Sequence, residues 1–276
     1  MPKAKGASMQ IGLLGAGRVG AQLGPALVAA GHRVVAVWSR TPGPAAALAA
    51  RLPGARSTTV LAELPPADLY LLAVPDAAIG DVLQALHLPA GSLVAHTSGS
   101  VPLAVFHAFP GLRGGIFYPL QTFSPGRDLD WARVPLCIEA TDESGEATLL
   151  AVARTLSDQA ELVATPQRQV LHVAAVFASN FTNHLLGISR ALLKEAQLPF
   201  GLLGPLVEET VAKALTNPPF EVQTGPAARR DEPTLVRHRA ALAAYPQWQE
   251  LYSALTASIQ QQLPAAPGPP DASRML

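Results

Sequence analysis

The chain has 276 residues and a mass of 28.8 kDa, too long for one small module and enough for one large or two modest domains. With 49% hydrophobic and 14% charged residues, and 20 cationic side chains balanced by 20 anionic ones, disorder as the main state is excluded. The same balance leaves no uncompensated cation cluster for nucleic acid. The single cysteine, Cys137, forbids an internal disulfide or thiolate metal cluster, and no uncharged apolar run reaches the roughly 18 to 20 residues that cross a bilayer. A cytoplasmic protein with no metal and no membrane partner is expected.

Residues 1–8 read as a short basic tail without a signal peptide's apolar core. Strand-like runs follow at Ile11–Leu14, Arg33–Trp38, Ser57–Val60, Leu69–Val74, Leu93–His96, Gly115–Tyr118, Leu136–Ala140 and Glu161–Ala164. Between them, Val19–Ala30, Pro44–Arg51, Ile79–Leu86 and Gly145–Leu156 carry helical patterns, which is the alternation of βαβ units. From Gln167 the strand signals stop. A long helical pattern runs to about Ala196, with further helices near Leu202–Leu215, Pro233–Ala244 and Gln247–Leu263. The expected fold is an α/β domain, doubly wound with a mainly parallel sheet, over 9–165. An all-α C-terminal domain over 166–263 is expected to contribute to the substrate site, and the Pro-rich residues 264–276 to form a disordered tail.

The first strand runs into Gly15-Ala16-Gly17-Arg18-Val19-Gly20 at the head of a helix. In a strand–turn–helix–strand unit this spacing is a dinucleotide fingerprint. Gly15 permits the tight turn, Gly17 lets a pyrophosphate approach the backbone, and Gly20 lets helix and strand pack closely. NAD enzymes place an acid at the end of the second strand to hold the ribose 2′-hydroxyl. Here that strand ends Ser39-Arg40-Thr41. Arg40 suits a 2′-phosphate, with hydroxyl donors on either side, so NADP is the expected cofactor.

Ala73-Val74-Pro75 closes a continuous apolar strand whose carboxyl end should border the cofactor cleft, while Asp76 reads as a helix cap. The next strand ends His96-Thr97-Ser98-Gly99-Ser100, and the one after it ends Tyr118-Pro119-Leu120-Gln121-Thr122-Phe123. These polar ends either converge on the cleft, with His96 at the cofactor and Tyr118 at the substrate, or serve as caps and packing. On the long helix, 100° per residue places His172, Val176, Ser179 and Asn183 on one stripe with Asn180 at its edge. A polar stripe on an otherwise apolar helix needs partners, and a substrate is one candidate. Arg229 and Arg230, before the Asp231 cap, suit a substrate anion or an intersubunit ion pair equally well.

These motifs together resemble a family of Rossmann-like oxidoreductases with a helical C-terminal domain of unknown function, related to pyrroline-5-carboxylate reductase, prephenate dehydrogenase and the β-hydroxyacid dehydrogenases. The resemblance spans roughly residues 9 to 263. It is carried by Gly15–Gly20, Ser39-Arg40, Leu72–Pro75, His96–Ser100, Tyr118–Phe123, His172–Phe181 and Gly225-Pro226 with Arg230-Asp231. It implies an NADP-binding fold and a homodimer formed through the helical domain, without naming a reaction. The β-hydroxyacid dehydrogenases would call for a Lys four residues before an Asn on the first interdomain helix, and none stands there. Only Lys3, Lys5, Lys194 and Lys213 occur in the chain.

The expected activity is hydride transfer to or from a small carbonyl, imine or hydroxy acid. His172 is the expected proton carrier, Ser98, Ser179 and Asn180 the orienting groups, and Tyr118, Asn183 and Arg230 the substrate contacts. The alternative is a non-catalytic NADP sensor that binds a partner protein.

Overall fold

The structure, a computed structural model, describes residues 8–262. Residues 1–7 of the basic start and the tail expected at 264–276 lie outside the described residues. The first unit of the chain contains β1 (Gln10–Leu14), α1 (Arg18–Ala29), β2 (Arg33–Trp38), α2 (Pro42–Ala49), β3 (Arg56–Thr58), β4 (Leu69–Leu72) and α3 (Ile79–Ala85). It continues with β5 (Leu93–His96), β6 (Arg113–Pro119), β7 (Leu136–Ala140), α4 (Glu143–Leu156), β8 (Ala160–Leu162) and α5 (Thr165–Ala175), and closes with a π-helical turn at Val176–Phe181. The second unit begins at Thr182 and is helical: α6 (Thr182–Glu195), α7 (Gly204–Thr216), α8 (Glu232–Ala241) and α9 (Pro246–Gln262).

All eight strands form one sheet in the order β3-β2-β1-β4-β5-β6-β7-β8. Neighbours are parallel except β6 and β7, so the expected doubly wound, mainly parallel sheet carries a reversed pair at one edge. Period-two alternation divides the core between the two faces of the sheet. Leu13, Leu69 and Leu71 join Leu23 and Leu27 of α1 and Leu149 and Val152 of α4. Leu14, Tyr70 and Leu72 join Ile79, Val82 and Phe106. Every residue of β4 is buried, and each such Leu contributes about 1.5–3 kcal/mol of transfer free energy.

β3 ends at Thr58 and not at Val60 as its apolar character suggests, because Thr58 Oγ1 accepts the Val60 N–H at 3.0 Å and turns the chain out of the sheet. α4 starts at a true cap. Asp142 accepts the Gly145 N–H at 2.8 Å and pairs with Arg113 of β6 at 2.8 and 3.0 Å, which holds its carboxyl below the usual range. In the second unit Asp231 caps α8 by accepting the Thr234 N–H at 3.2 Å. The His238 ring of α8 meets the Tyr252 hydroxyl of α9 at 2.9 Å. Among the described residues, no helix is long and apolar enough to cross a membrane.

Candidate functional site

Sheet order reverses direction at β1, which lies between β2 and β4, and the crevice outside the carboxyl ends of such strands is where open α/β sheets bind ligands. A cleft of about 250 Å³ lies there, walled by Gly15, Ala16, Gly17, Ser39, Arg40 and the Ala73–Pro75 segment. The three glycines of the loop have distinct roles. Gly15 has φ +117°, and a Cβ on it would fall 2.3 Å from the Ala73 carbonyl oxygen. A Cβ at Gly20 would fall 2.0 Å from the Gly15 oxygen, so these two let α1 pack against the turn. Gly17 faces nothing within 4 Å, so its side stays open to a ligand.

α1 starts at Gly17 with no side-chain cap and no acid in its first turn, which leaves its terminal N–H groups to an anion. Arg40 is exposed and makes no ion pair among the described residues, and no acid stands beside it. Thr41 lies just outside the wall and heads α2. The open face at Gly17, the free helix terminus and the unpaired Arg40 fit the pyrophosphate and 2′-phosphate of NADP.

The second cleft, of about 690 Å³, begins at the next residue of the loop. Arg18 and Val19, taken from sequence as cofactor contacts, line this cleft and not the first. Its other walls are Thr97, the 118–123 segment after β6, and the face of α5 and the π-helical turn that carries His172, Ser179 and Asn180. No Asp or Glu lines either cleft among the described residues.

The centre of this wall is a hydrogen bond of 3.1 Å between the Tyr118 hydroxyl and His172 Nδ1, the rings meeting edge to face at 5.9 Å. Burial pushes the Tyr118 hydroxyl up to about 12, so it remains a phenol and a donor at working pH. The bond forms in either sense, with the phenol donating to a bare Nδ1 or accepting from Nδ1–H, and Nε2 makes no hydrogen bond among the described residues.

α5 reaches this position through a charged pair that the sequence pattern does not mark. Arg168, fully buried, donates to Glu139 of β7 at 2.8 Å, to the Val101 carbonyl at 2.6 Å and to Thr165 Oγ1 at 3.3 Å. Glu139 also accepts the Thr165 N–H at 2.9 Å and its hydroxyl at 2.6 Å. Burial pulls the guanidinium pKa below its ordinary value, and Glu139 works against that effect.

The π-helical turn was equally hidden, since no Gly or Pro occurs within Val176–Phe181. Such turns recur at functional sites, and this one sets both Ser179 and Asn180 on the cleft wall. Asn183 and Arg230 belong to the second unit, on α6 and before α8, where Arg230 has φ +53° and donates to the Gln260 carbonyl at 3.2 Å.

Two other residues drawn from the strand ends line neither cleft. Ser98 is buried, and its hydroxyl oxygen accepts the N–H groups of Ser100 at 3.1 Å and Val101 at 3.0 Å, so it builds the turn. His96 points into the core, stacked on Phe106 at 5.9 Å, with Nδ1 accepting the Ser98 N–H at 3.2 Å and Nε2 without a partner among the described residues. Burial first, and then the Arg168 charge, lowers its pKa to about 4.

The Rossmann-like domain family matches residues 2–116, and a domain of unknown function, DUF2520, matches residues 134–259. No curated protein matches the chain. Among solved structures, a Bacteroides fragilis protein provisionally designated an NADP oxidoreductase is 40% identical, with TM-score 0.86 over 92% of this chain and 98% of that one. A protein from Thermotoga maritima is 21% identical, with TM-score 0.67 over 91% and 97% of the two chains. A reductive aminase from Aspergillus terreus, solved with NADPH and ethyl-5-oxohexanoate, is 18% identical, with TM-score 0.67 over 92% and 93%. The last two likenesses concern the fold. The chain belongs to the family of Rossmann-like NADP oxidoreductases whose C-terminal half is this domain of unknown function.

Proposed function

We propose that the protein catalyses hydride transfer between NADP(H) and a small carbonyl, imine or hydroxy acid held in the second cleft. The observation that carries this reading is the Tyr118–His172 pair, standing on a wall that begins within the nucleotide loop, at Arg18. The backbone at Gly15–Gly17 and the start of α1 would hold the pyrophosphate, and Ser39 and Arg40 the 2′-phosphate. When bound, NADPH supplies the hydride, and the chain supplies orientation and one proton.

His172 fills the second role. Reduction of a carbonyl or imine leaves negative charge on its oxygen or nitrogen, and the protonated His172 ring delivers its Nε2 proton there, leaving a neutral imidazole whose Nδ1–H donates to the Tyr118 oxygen. In the reverse direction the bare Nε2 of that neutral tautomer takes the proton. Ser179 and Asn180 offer hydrogen bonds to the substrate's polar end, while Leu171, Ala174, Ala175 and Phe123 keep the remaining wall apolar and limit water.

The test is NADPH consumption with a panel of small ketones, imines and 2-oxo acids, comparing the wild type with His172→Ala. The variant should lose about 100-fold or more in turnover while binding NADPH as before. Unchanged turnover would sink the role given to His172. Tight NADPH binding by the wild type with no turnover across the panel would favour the sensor reading.

A further inference from the structure

The turn after β5 runs along α5 and is bonded to it residue by residue. Leu103 N–H donates to Thr165 Oγ1 at 3.2 Å, Arg168 donates to the Val101 carbonyl at 2.6 Å, and the Gln169 side-chain amide donates to the Ser100 carbonyl at 3.1 Å. The next contact in this series is His172, and opposite it stands Gly99. A Cβ on Gly99 would fall 2.6 Å from His172 Nδ1 and 2.6 Å from Tyr118 Cζ, well inside contact distance of both rings. Its backbone carries no positive φ, so nothing in the local chain conformation demands glycine there.

We propose that Gly99 is the positioning residue of the site: its missing side chain is the space in which Tyr118 and His172 meet, so residue 99 sets the orientation of the proton carrier. This rests on the hydride-transfer reading of the same site. The bonds at Ser100 and Val101 prevent the turn from backing away, and the buried Arg168–Glu139 pair prevents α5 from doing so. A methyl group at 99 must therefore be accommodated by the rings, and the Tyr118–His172 hydrogen bond is what opens. Gly99 lines neither cleft, and neither ring lines the first, so the nucleotide surface stays as it is.

The experiment compares wild type, Gly99→Ala, Tyr118→Phe and His172→Ala as full chains, using the same panel of ketones, imines and 2-oxo acids. Gly99→Ala should lower kcat by about 100-fold, as a displacement of about 1 Å can, with NADPH affinity unchanged. Its pH profile of kcat should become that of Tyr118→Phe, a change that simple loss of packing would not produce.

If His172→Ala is inactive while Gly99→Ala keeps the wild-type kcat and pH profile, the positioning role is overturned and the proposed activity stands. If His172→Ala is fully active, the reading of the site falls and this inference with it. A stability measurement covers poor folding of Gly99→Ala. In a His172→Ala/Tyr118→Leu background the substitution should leave the melting temperature unchanged, and a drop as large as in the wild type would overturn the steric argument.

Discussion

At the end of β2 the chain presents Ser39 and Arg40 to the first cleft and no acid. A guanidinium pairs with a phosphate through two parallel hydrogen bonds, and the ribose hydroxyl of NADH offers nothing comparable. Arg40→Ala should therefore weaken NADPH at least about tenfold, roughly 1.4 kcal/mol, and leave NADH binding unchanged. Fluorescence titration of both nucleotides checks this, and equal losses would remove the 2′-phosphate assignment. Arg40 was legible in the sequence because its offset from the glycine loop is fixed by one βαβ unit. Gly99 was not, because the rings it makes room for come from β6 and from α5, and only the fold brings them to one point. Ser98 and His96 show the opposite limit. Their polarity at a strand end was visible, but the direction each side chain takes was decided by the turn and by Phe106.

Among the elements, the strands and helices of the first unit were legible because their hydrophobic periods are long and their punctuation is clear. The π-helical turn at Val176–Phe181 was not, since a widened turn costs one hydrogen-bond register and leaves composition untouched. Its effect on the site is large. Uniform α-helical spacing spreads Ser179 and Asn180 by 100° and puts Asn180 at the edge of the stripe, whereas the structure has both on the cleft wall with His172. Deleting Ala178 should restore a regular helix and rotate Ser179, Asn180 and the rest of the turn by about 100°. The expected result is an unchanged far-ultraviolet helix signal and undisturbed NADPH binding with turnover reduced by about tenfold or more, because the substrate contacts turn away. Wild-type turnover in the deletion would show that Ser179 and Asn180 need no such placement.

For the whole molecule, a formal net charge of zero at pH 7 means that mild acid does not act first through global repulsion. The response belongs to individual buried groups, and His96 dominates it. Its pKa is 6.5 in an open chain and about 4 in the fold, where desolvation disfavours the charged ring. Between those values the unfolded chain takes up a proton that the folded chain refuses. Stability is therefore complete above about pH 6.5, falls as pH drops toward 4, and levels off once the folded ring is protonated. At 1.36 kcal/mol per unit the loss is about 3 kcal/mol, a large part of the 5–15 kcal/mol typical of a domain. His32, buried and also lowered, adds to the loss in the same direction. The carboxylates act lower on the scale: Asp142, held down by Arg113, contributes until pH falls below the ordinary carboxylate range. Urea midpoints measured from pH 7.5 to 4.5 should decline steadily for the wild type and much less for His96→Leu, which has no proton to gain. A flat wild-type curve would mean that His96 is reached by water, and the sealed core drawn around it and Phe106 would have to be opened.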